Sequence, residues 1–346
     1  MTNAKTVTMN ILNGLSIGII VALIPGAIFN SLVGALLPTF PHLAFITQFT
    51  GAAQTMMPLL SAVCVGMLAK FTPIQTTSLA LAALIGAGNV QAAKTGFTLA
   101  GTGDIINTGI TLAVGYVLIL WLGNALKAYT ILLMPSILLL VAGGIGHLTL
   151  GPVSAFTQAI GVVIKDVTTV QPLLMGILMG VDFGLLIVSP ISTVGIATAI
   201  TLAGIGAGSA NLGVVGAQFA LTVYGWSANS FGTSIAHFLG SPKMQMANIF
   251  SRPKLFLPIL INAGIMGGIG ALFNIQGTPM SAGFGFAGLI GPLAALAGIG
   301  HTTAGSLIEV TLIFLVIPVA LALVSHLLFT KVWHYQDASD FALNYA

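Results

Sequence analysis

The chain has 346 residues, of which 4% are charged and 57% are hydrophobic, with 43 glycines in addition. A soluble domain carries about 25% charged residues, which cover its surface. The composition therefore excludes a soluble enzyme, a nucleic-acid-binding protein and a disordered regulator. It predicts an all-α, polytopic membrane protein that lies in a lipid bilayer. The net charge of +3 comes from a few residues, which we assign to loops on one side of the bilayer.

Apolar runs of spanning length recur along the whole chain, because about 20 apolar residues cross the hydrocarbon core. Four further runs are shorter or are interrupted by Gly and Pro, which predicts broken or re-entrant segments, above all near 41–53 and 280–300. The remaining two lie near 154–168 and 229–240. The long runs predict about ten transmembrane helices, near 11–37, 55–71, 76–92, 105–126, 129–150, 171–190, 192–207, 211–226, 255–274 and 305–330.

The positive charges indicate an orientation. Lys5, Lys331 and the segment 241–254 hold most of them, and cytoplasmic loops are enriched in Lys and Arg. We therefore expect both termini in the cytoplasm, with an even number of spans. The polar start, 1–10, precedes an apolar run that is too long for a signal peptide, so we expect it to be retained.

Prolines and glycines recur in the same order in two parts of the chain. The pattern Pro58–Gly66 returns as Pro172–Gly180. This predicts a single membrane domain over 1–346, with repeat units of about 20–130 and 131–275 and a truncated third copy over 276–330. Repeated halves are common in transporters, with the solute site between them. The alternative is a chance match among residues that are frequent in this chain.

Two acids lie deepest in the predicted spans, Asp182 and Glu309. A charge at the membrane centre costs about 2.5–3.5 kcal/mol on insertion scales, so it usually faces a partner or a wet path. His301 lies about two helical turns before Glu309, next to Thr302 in a stretch flanked by glycines. We predict that these four residues contact the solute, with Glu309 accepting hydrogen bonds from its hydroxyl groups. The alternative is a structural bond between His301 and Glu309.

Two segments combine glycines with amides. They are Gly86–Gln91, which contains Asn89 and Gln91, and its partner in the repeat, Gly204–Asn211. Glycine lets the backbone approach a ligand, and amides both donate and accept hydrogen bonds. We predict that Asn89, Gln91 and Asn211 bind an uncharged, hydroxyl-rich solute around one cavity. Plain helix packing through small residues is the alternative.

The other residues whose side chains could act in catalysis or bind a metal are scattered along the chain. Cys64 is the one cysteine, and the spacing of the histidines indicates no metal site. We therefore predict no catalytic residue, no metal and no cofactor.

The opening stretch Asn10–Pro25 reads NILNGLSIGIIVALIP. Together with the glycine-rich, many-span body, it resembles the enzyme IIC-type permeases of the sugar phosphotransferase system, in the branch that includes perfringolysin regulator-like membrane proteins. The resemblance covers nearly the whole chain. It implies a homodimer in the bacterial cytoplasmic membrane that binds a sugar and passes it inward. Separate IIA and IIB proteins would phosphorylate the sugar, so the chain is at most the membrane subunit of that system.

The chain departs from the better-understood sugar permeases at one motif. Their Gly-Ile-Thr-Glu-type substrate motif is absent, and the nearest match is Gly298–Thr302, with Glu309 beyond it. Coupling to phosphorylation is therefore open. One reading is a permease for a small polar solute, expected to be a sugar. The alternative is a membrane-embedded sensor or regulator that keeps the permease fold without transporting, and a channel-like facilitator is a third.

Overall fold

The structure is a computed structural model that describes residues 3–123, 125–300 and 303–343. Helices make up most of this part of the chain. The chain divides into two compact units, Met1–Phe156 and Thr157–Ala346. The boundary between them falls inside a long helix.

The first unit is built from helices of very different length. Its π-helical stretch Leu138–Ala142 joins two helices, α6 and α7, into one continuous helix of 38 residues over Thr130–Val167. The helices are α1 (Ala4–Leu36), α2 (Ala44–Thr55), α3 (Met57–Leu68), α4 (Pro73–Gly86), α5 (Ile105–Leu122), α6 (Thr130–Ile137) and the start of α7 (Gly143–Val167).

The first unit contains a bend where the sequence predicts a broken segment near 41–53. The helical segment Pro41–Thr55 meets α3 at an angle of 52°. Pro58 lies in the first turn of α3, where its missing N–H costs no hydrogen bond. A proline at this position starts a new helix in a new direction.

A β-hairpin follows α4, so the predicted span near 76–92 is shorter than expected. β1 (Val90–Ala92) pairs antiparallel with β2 (Phe97–Leu99). Gly96, with φ of 89°, allows the tight turn between the strands. Both strands are largely exposed.

In the core of the first unit, α1 packs on α2, α3 and α5, and α4 packs on α3, α5 and α6. Asn107 of α5 is buried there, and its amide donates to the carbonyl oxygens of Gly86 and Gly146, the latter at 2.6 Å. Its own oxygen accepts from Thr149 Oγ1 at 2.8 Å. This amide therefore satisfies the carbonyl at the end of α4 inside the protein.

The second unit contains the end of α7 and ten further helices in the described residues. Two π-helical stretches, Leu312–Val316 and Leu327–Val332, continue its last helices into one long helix over Ala304–Val332. The helices are α8 (Pro172–Ile187), α9 (Thr193–Ala199), α10 (Gly204–Tyr224), α11 (Phe231–Leu239), α12 (Met246–Ser251), α13 (Phe256–Leu272), α14 (Pro279–Phe284), α15 (Ile290–Ile299), α16 (Ala304–Thr311) and α17 (Ile317–His326).

Helix α10 lies at the centre of the second unit and is buried along almost its entire length. It packs on α8, α13, α14 and α17. Glycines allow the closest approaches: a Cβ at Gly213 would overlap the backbone of Gly180, and one at Gly267 would overlap the backbone of Gly176. Small residues at helix crossings are typical of membrane proteins.

The structure divides 192–226 differently from the two spans that the sequence predicts there. Helix α9 has 7 residues, and α10 already begins at Gly204, whose φ of 63° turns the chain into the helix. By contrast, the predicted break near 280–300 is present, as the short helices α14 and α15.

The described residues form an all-α, polytopic membrane fold. Five helices are long and apolar enough to cross a bilayer, or six if the bent pair at α2 and α3 is one span. Helices α4 and α8 are apolar but shorter. Large apolar side chains are exposed along the long helices, such as Leu140 at 73% and Leu148 at 76%, as expected for a surface against lipid. The count of about ten spans stays a prediction.

Candidate functional site

The break between α14 and α15 is built by capping and by left-handed backbone. Thr278 and Ser281 form a capping box at the start of α14. After α14 the chain turns through Gly285, with φ of 63°, and Leu289, with φ of 59°. The segment between these helices therefore has backbone N–H and C=O groups that no helix satisfies.

Gln218 of α10 forms hydrogen bonds to the backbone at this break. Its Oε1 accepts a hydrogen bond from the backbone N–H of Phe286 at 2.8 Å. Its Nε2 donates to the carbonyl oxygen of Phe284 at 3.0 Å. The carboxamide thus supplies the hydrogen-bond partners that a continuous helix would give to both residues.

Asn211 lies two helical turns before Gln218, on the same side of α10. Its side chain is fully buried, and neither its Oδ1 nor its Nδ2 has a hydrogen-bond partner among the described residues. The start of α15 lies against it, since a Cβ at Gly291 would overlap this carboxamide. The N–H of Gly291 is itself satisfied, donating to the carbonyl of Gly285 at 2.8 Å.

An unpaired, buried carboxamide costs about 1–3 kcal/mol per group. Such groups in native proteins call for an explanation, and one is a ligand or water that completes the hydrogen bonds. Asn211 offers one acceptor and two donors beside the break. We therefore define the Asn211–Gln218 site as these two residues with the backbone of 284–291.

The other predicted site residues of the second unit are distant in sequence from Asn211 and Gln218. Asp182 is half-buried in the middle of α8, and Glu309 is half-buried in α16. Within the described part of the chain, no hydrogen bond or ion pair reaches either carboxylate. Helix α16 packs on α15, whereas α8 packs on α10 and α13. His301 and Thr302 lie outside the described residues.

Two predicted residues belong to the first unit. Asn89 is buried, and its Nδ2 donates to the carbonyl oxygen of Thr55 at 2.7 Å, while its Oδ1 has no partner in the described structure. Gln91 lies on β1 with an exposed side chain. The predicted meeting of both with Asn211 around one cavity stays a prediction.

The sequence analysis did not identify Lys243 as a buried residue, because it placed this lysine among the charges of a loop. The side chain is only 4% exposed. Its Nζ donates to the carbonyl oxygens of Leu186, in the last turn of α8, and of Ser189 and Ile191, which follow α8. Burial lowers the pKa of this lysine to about 7. No pattern in the sequence separates it from the exposed lysines nearby.

The C-terminal segment is held by another group of amides that sequence reasoning missed. Gln245 Nε2 donates to the carbonyl of Phe341 at 2.7 Å and contacts His237 Nε2 at 3.1 Å. The Nδ1 of His237 lies 2.9 Å from the carbonyl of Ser234, so it carries the proton and leaves Nε2 as the acceptor. Burial lowers the pKa of His237 to about 4. This neutral histidine therefore helps to orient Gln245.

Comparison with known proteins adds one finding. A family model described as "Phosphotransferase system, EIIC" matches residues 9–343. No curated protein matches the chain.

Proposed function

Because the chain belongs to the EIIC family of the phosphotransferase system, as its opening stretch predicted, we propose that it is a permease that binds a sugar and carries it inward across the bacterial cytoplasmic membrane. Family membership supports the role of a membrane permease component. The sugar as the solute, and the Asn211–Gln218 site as the place that binds it, are the finer parts of the proposal.

The observation that carries the site is the fully buried Asn211 carboxamide without a partner. A sugar hydroxyl both donates and accepts, so it matches an amide that offers both functions. Discontinuous helices commonly form solute sites in transporters, because their free backbone groups reach the ligand. Gln218 supports this by fixing the backbone of the break beside Asn211.

The other predicted residues complete the proposal. Glu309 and Asp182 would accept hydrogen bonds from the sugar, since carboxylates form strong charge-assisted bonds to hydroxyl groups. His301, Thr302, Asn89 and Gln91 would add contacts along the solute path. We propose separate IIA and IIB proteins as phosphotransfer partners, a homodimer as the assembly, and cytoplasmic termini.

The test is sugar binding by the purified full-length protein in lipid nanodiscs. Calorimetry with a panel of glucose, N-acetylglucosamine, maltose and cellobiose identifies a binding sugar. We expect Asn211→Leu, which keeps the branching and the number of heavy atoms and removes both polar functions, to weaken binding of that sugar by about tenfold or more. Gln171→Ala is the matched control, because Gln171 is an exposed amide just before α8, and it should bind as the parent does.

Two outcomes would count against the proposal. Unchanged binding by Asn211→Leu would remove the Asn211–Gln218 site from it. Binding without uptake into vesicles that contain IIA and IIB proteins would favour the sensor or regulator over the permease.

A further inference from the structure

Lys243 is a buried lysine whose Nζ is bound by carbonyl oxygens alone. It lies in the short helical turn Pro242–Gln245 between α11 and α12. Its Nζ lies 3.3 Å from the carbonyl oxygen of Leu186 and 2.8 Å from that of Ile191, and it also donates to the carbonyl of Ser189. No carboxylate pairs with it among the described residues. A buried amino group is costly unless its hydrogen bonds are complete, and here three carbonyl oxygens accept from Nζ, which is enough for every N–H of the charged form.

Leu186 lies in the last turn of α8, whereas Ser189 and Ile191 lie in the connection that follows the helix. The carbonyl of Leu186 is therefore at the negative end of the helix dipole, which favours a lysine side chain beside it. The chain then runs irregularly through Pro190 until α9 begins at Thr193. Within 186–192 the other hydrogen bonds are local, such as Ser189 Oγ to the carbonyl of Leu186 at 2.8 Å. The amino group of Lys243 is therefore the hydrogen-bond donor that links this connection to a distant part of the chain.

The connection leads directly to the break. Thr193, two residues after Ile191, donates from Oγ1 to the carbonyl oxygen of Gly283 at 2.8 Å, and this bond is buried. The backbone of Val194 is so close that a Cβ at Gly283 would overlap it. Gly283 lies next to Phe284, whose carbonyl is bound by Gln218. The contacts thus run from Lys243 through α9 and α14 to the break.

We propose that Lys243 is a positioning residue that sets the geometry of the break between α14 and α15, and through it that of the Asn211–Gln218 site. The proposal rests on the proposed function for its consequence on sugar binding. The effect of Lys243 on the geometry of the break does not depend on that function, and it can be measured without any ligand.

Cysteine labelling at Phe284 reads the break directly. Cys64 is the one native cysteine, so Cys64→Ala gives a background for Phe284→Cys, a half-buried position. The rate of reaction with a small methanethiosulfonate reagent then reports how open the break is. We expect Lys243→Met to change this rate by about tenfold, and Lys243→Arg, which keeps the cation, to stay close to the parent.

Lys254→Met is the matched control. Lys254 also donates to a backbone carbonyl, that of Tyr335 at 2.8 Å, but it is exposed and lies outside the contacts that lead to the break. It should leave the labelling rate unchanged. An effect that comes from the loss of any lysine, irrespective of its position, would appear in both variants.

A double-mutant cycle tests the route. If Lys243 acts through Thr193, the effects of Lys243→Met and Thr193→Val on labelling are not additive, and the double variant resembles the stronger single one. If Lys243→Met fails to fold, Lys243→Gln replaces it, since it keeps hydrogen-bond donors and loses the charge.

The proposal is overturned if Lys243→Met, or Lys243→Gln in its place, labels at the parental rate, or if its effect adds to that of Thr193→Val. The sugar site has its own test. Asn211→Leu could bind the sugar with the parental affinity while Lys243→Met changes the labelling rate. That result would reject the Asn211–Gln218 site as the solute site and would still support the positioning role of Lys243.

Discussion

Asn211 and Lys243 are both polar side chains buried inside the second unit, but only Lys243 has hydrogen-bond partners there. Lys243 has three carbonyl acceptors, whereas neither polar atom of Asn211 has a partner among the described residues. The sequence could single out Asn211, because an amide among glycines in an apolar run is conspicuous. It could not single out Lys243 or Gln218, because the partners of both are backbone groups far away in the chain.

The first prediction concerns stability at Asn211. Since its carboxamide is buried without partners, Asn211→Leu should stabilise the sugar-free protein by about 1–3 kcal/mol while it weakens sugar binding. Thermal unfolding in detergent, with and without the binding sugar, measures both effects. A clear loss of stability in the sugar-free variant would contradict this expectation.

The second prediction concerns His237. Its pKa is about 4 in the folded protein, below the ordinary value of 6.5, so the unfolded chain binds more protons between these values. Stability should therefore fall as the pH is lowered from 6.5 towards 4, by up to about 1.4 kcal/mol per pH unit. The physical event is loss of the Nε2 acceptor, which frees the amide of Gln245.

Thermal unfolding across this pH range measures the effect. His237→Gln should flatten the dependence, and His42→Gln, at an exposed position, is the control that should keep it. A His237→Gln variant with the full parental pH dependence would contradict the assignment.

At the level of helices, the sequence predicts some breaks and misplaces others: the helix over Thr130–Val167 is continuous where a broken segment was expected near 154–168. Gly and Pro over 280–300 indicated a broken segment, and α14 and α15 are separated there by Gly285 and Leu289 with positive φ. The split of 192–226 into two equal spans was wrong, because α10 begins at Gly204. Hydropathy gives the length of an apolar run, but the position of a helix start inside it depends on packing, here of α9 on α14.

The third prediction concerns the crossing of α8 and α10. A Cβ at Gly213 would overlap the backbone of Gly180, so Gly213→Ala should destabilise the protein by about 1–3 kcal/mol through overpacking. Gly144→Ala in α7 is the control, since a Cβ there meets nothing within 4 Å. It should be neutral or stabilising, by up to about 1 kcal/mol, from helix propensity.

For the whole molecule, composition alone established the class of protein. A chain with 4% charged residues has too few to cover a soluble surface, and five to six long apolar helices agree with that. The number of spans could not be fixed in the same way. Apolar helices such as α4 and α8 are shorter than a bilayer requires, and hydropathy does not distinguish a tilted span from a half-span.

The fourth prediction concerns orientation. In the Cys64→Ala background, Ala4→Cys and Ser339→Cys place single thiols at exposed positions near the two ends of the chain. We expect a membrane-impermeant maleimide to label both from the cytoplasmic side only, because the lysines favour that side. Labelling of the two thiols from opposite faces would require an odd number of spans.

The β1–β2 hairpin has a practical consequence for imaging. A membrane protein of 35.3 kDa offers few features by which single particles can be aligned in an electron micrograph. The hairpin is exposed, and its strands pair with each other, Gln91 opposite Thr98. A rigid domain inserted at its turn, between Lys94 and Thr95, would project from the particle without interrupting a helix, and would serve as a marker for alignment.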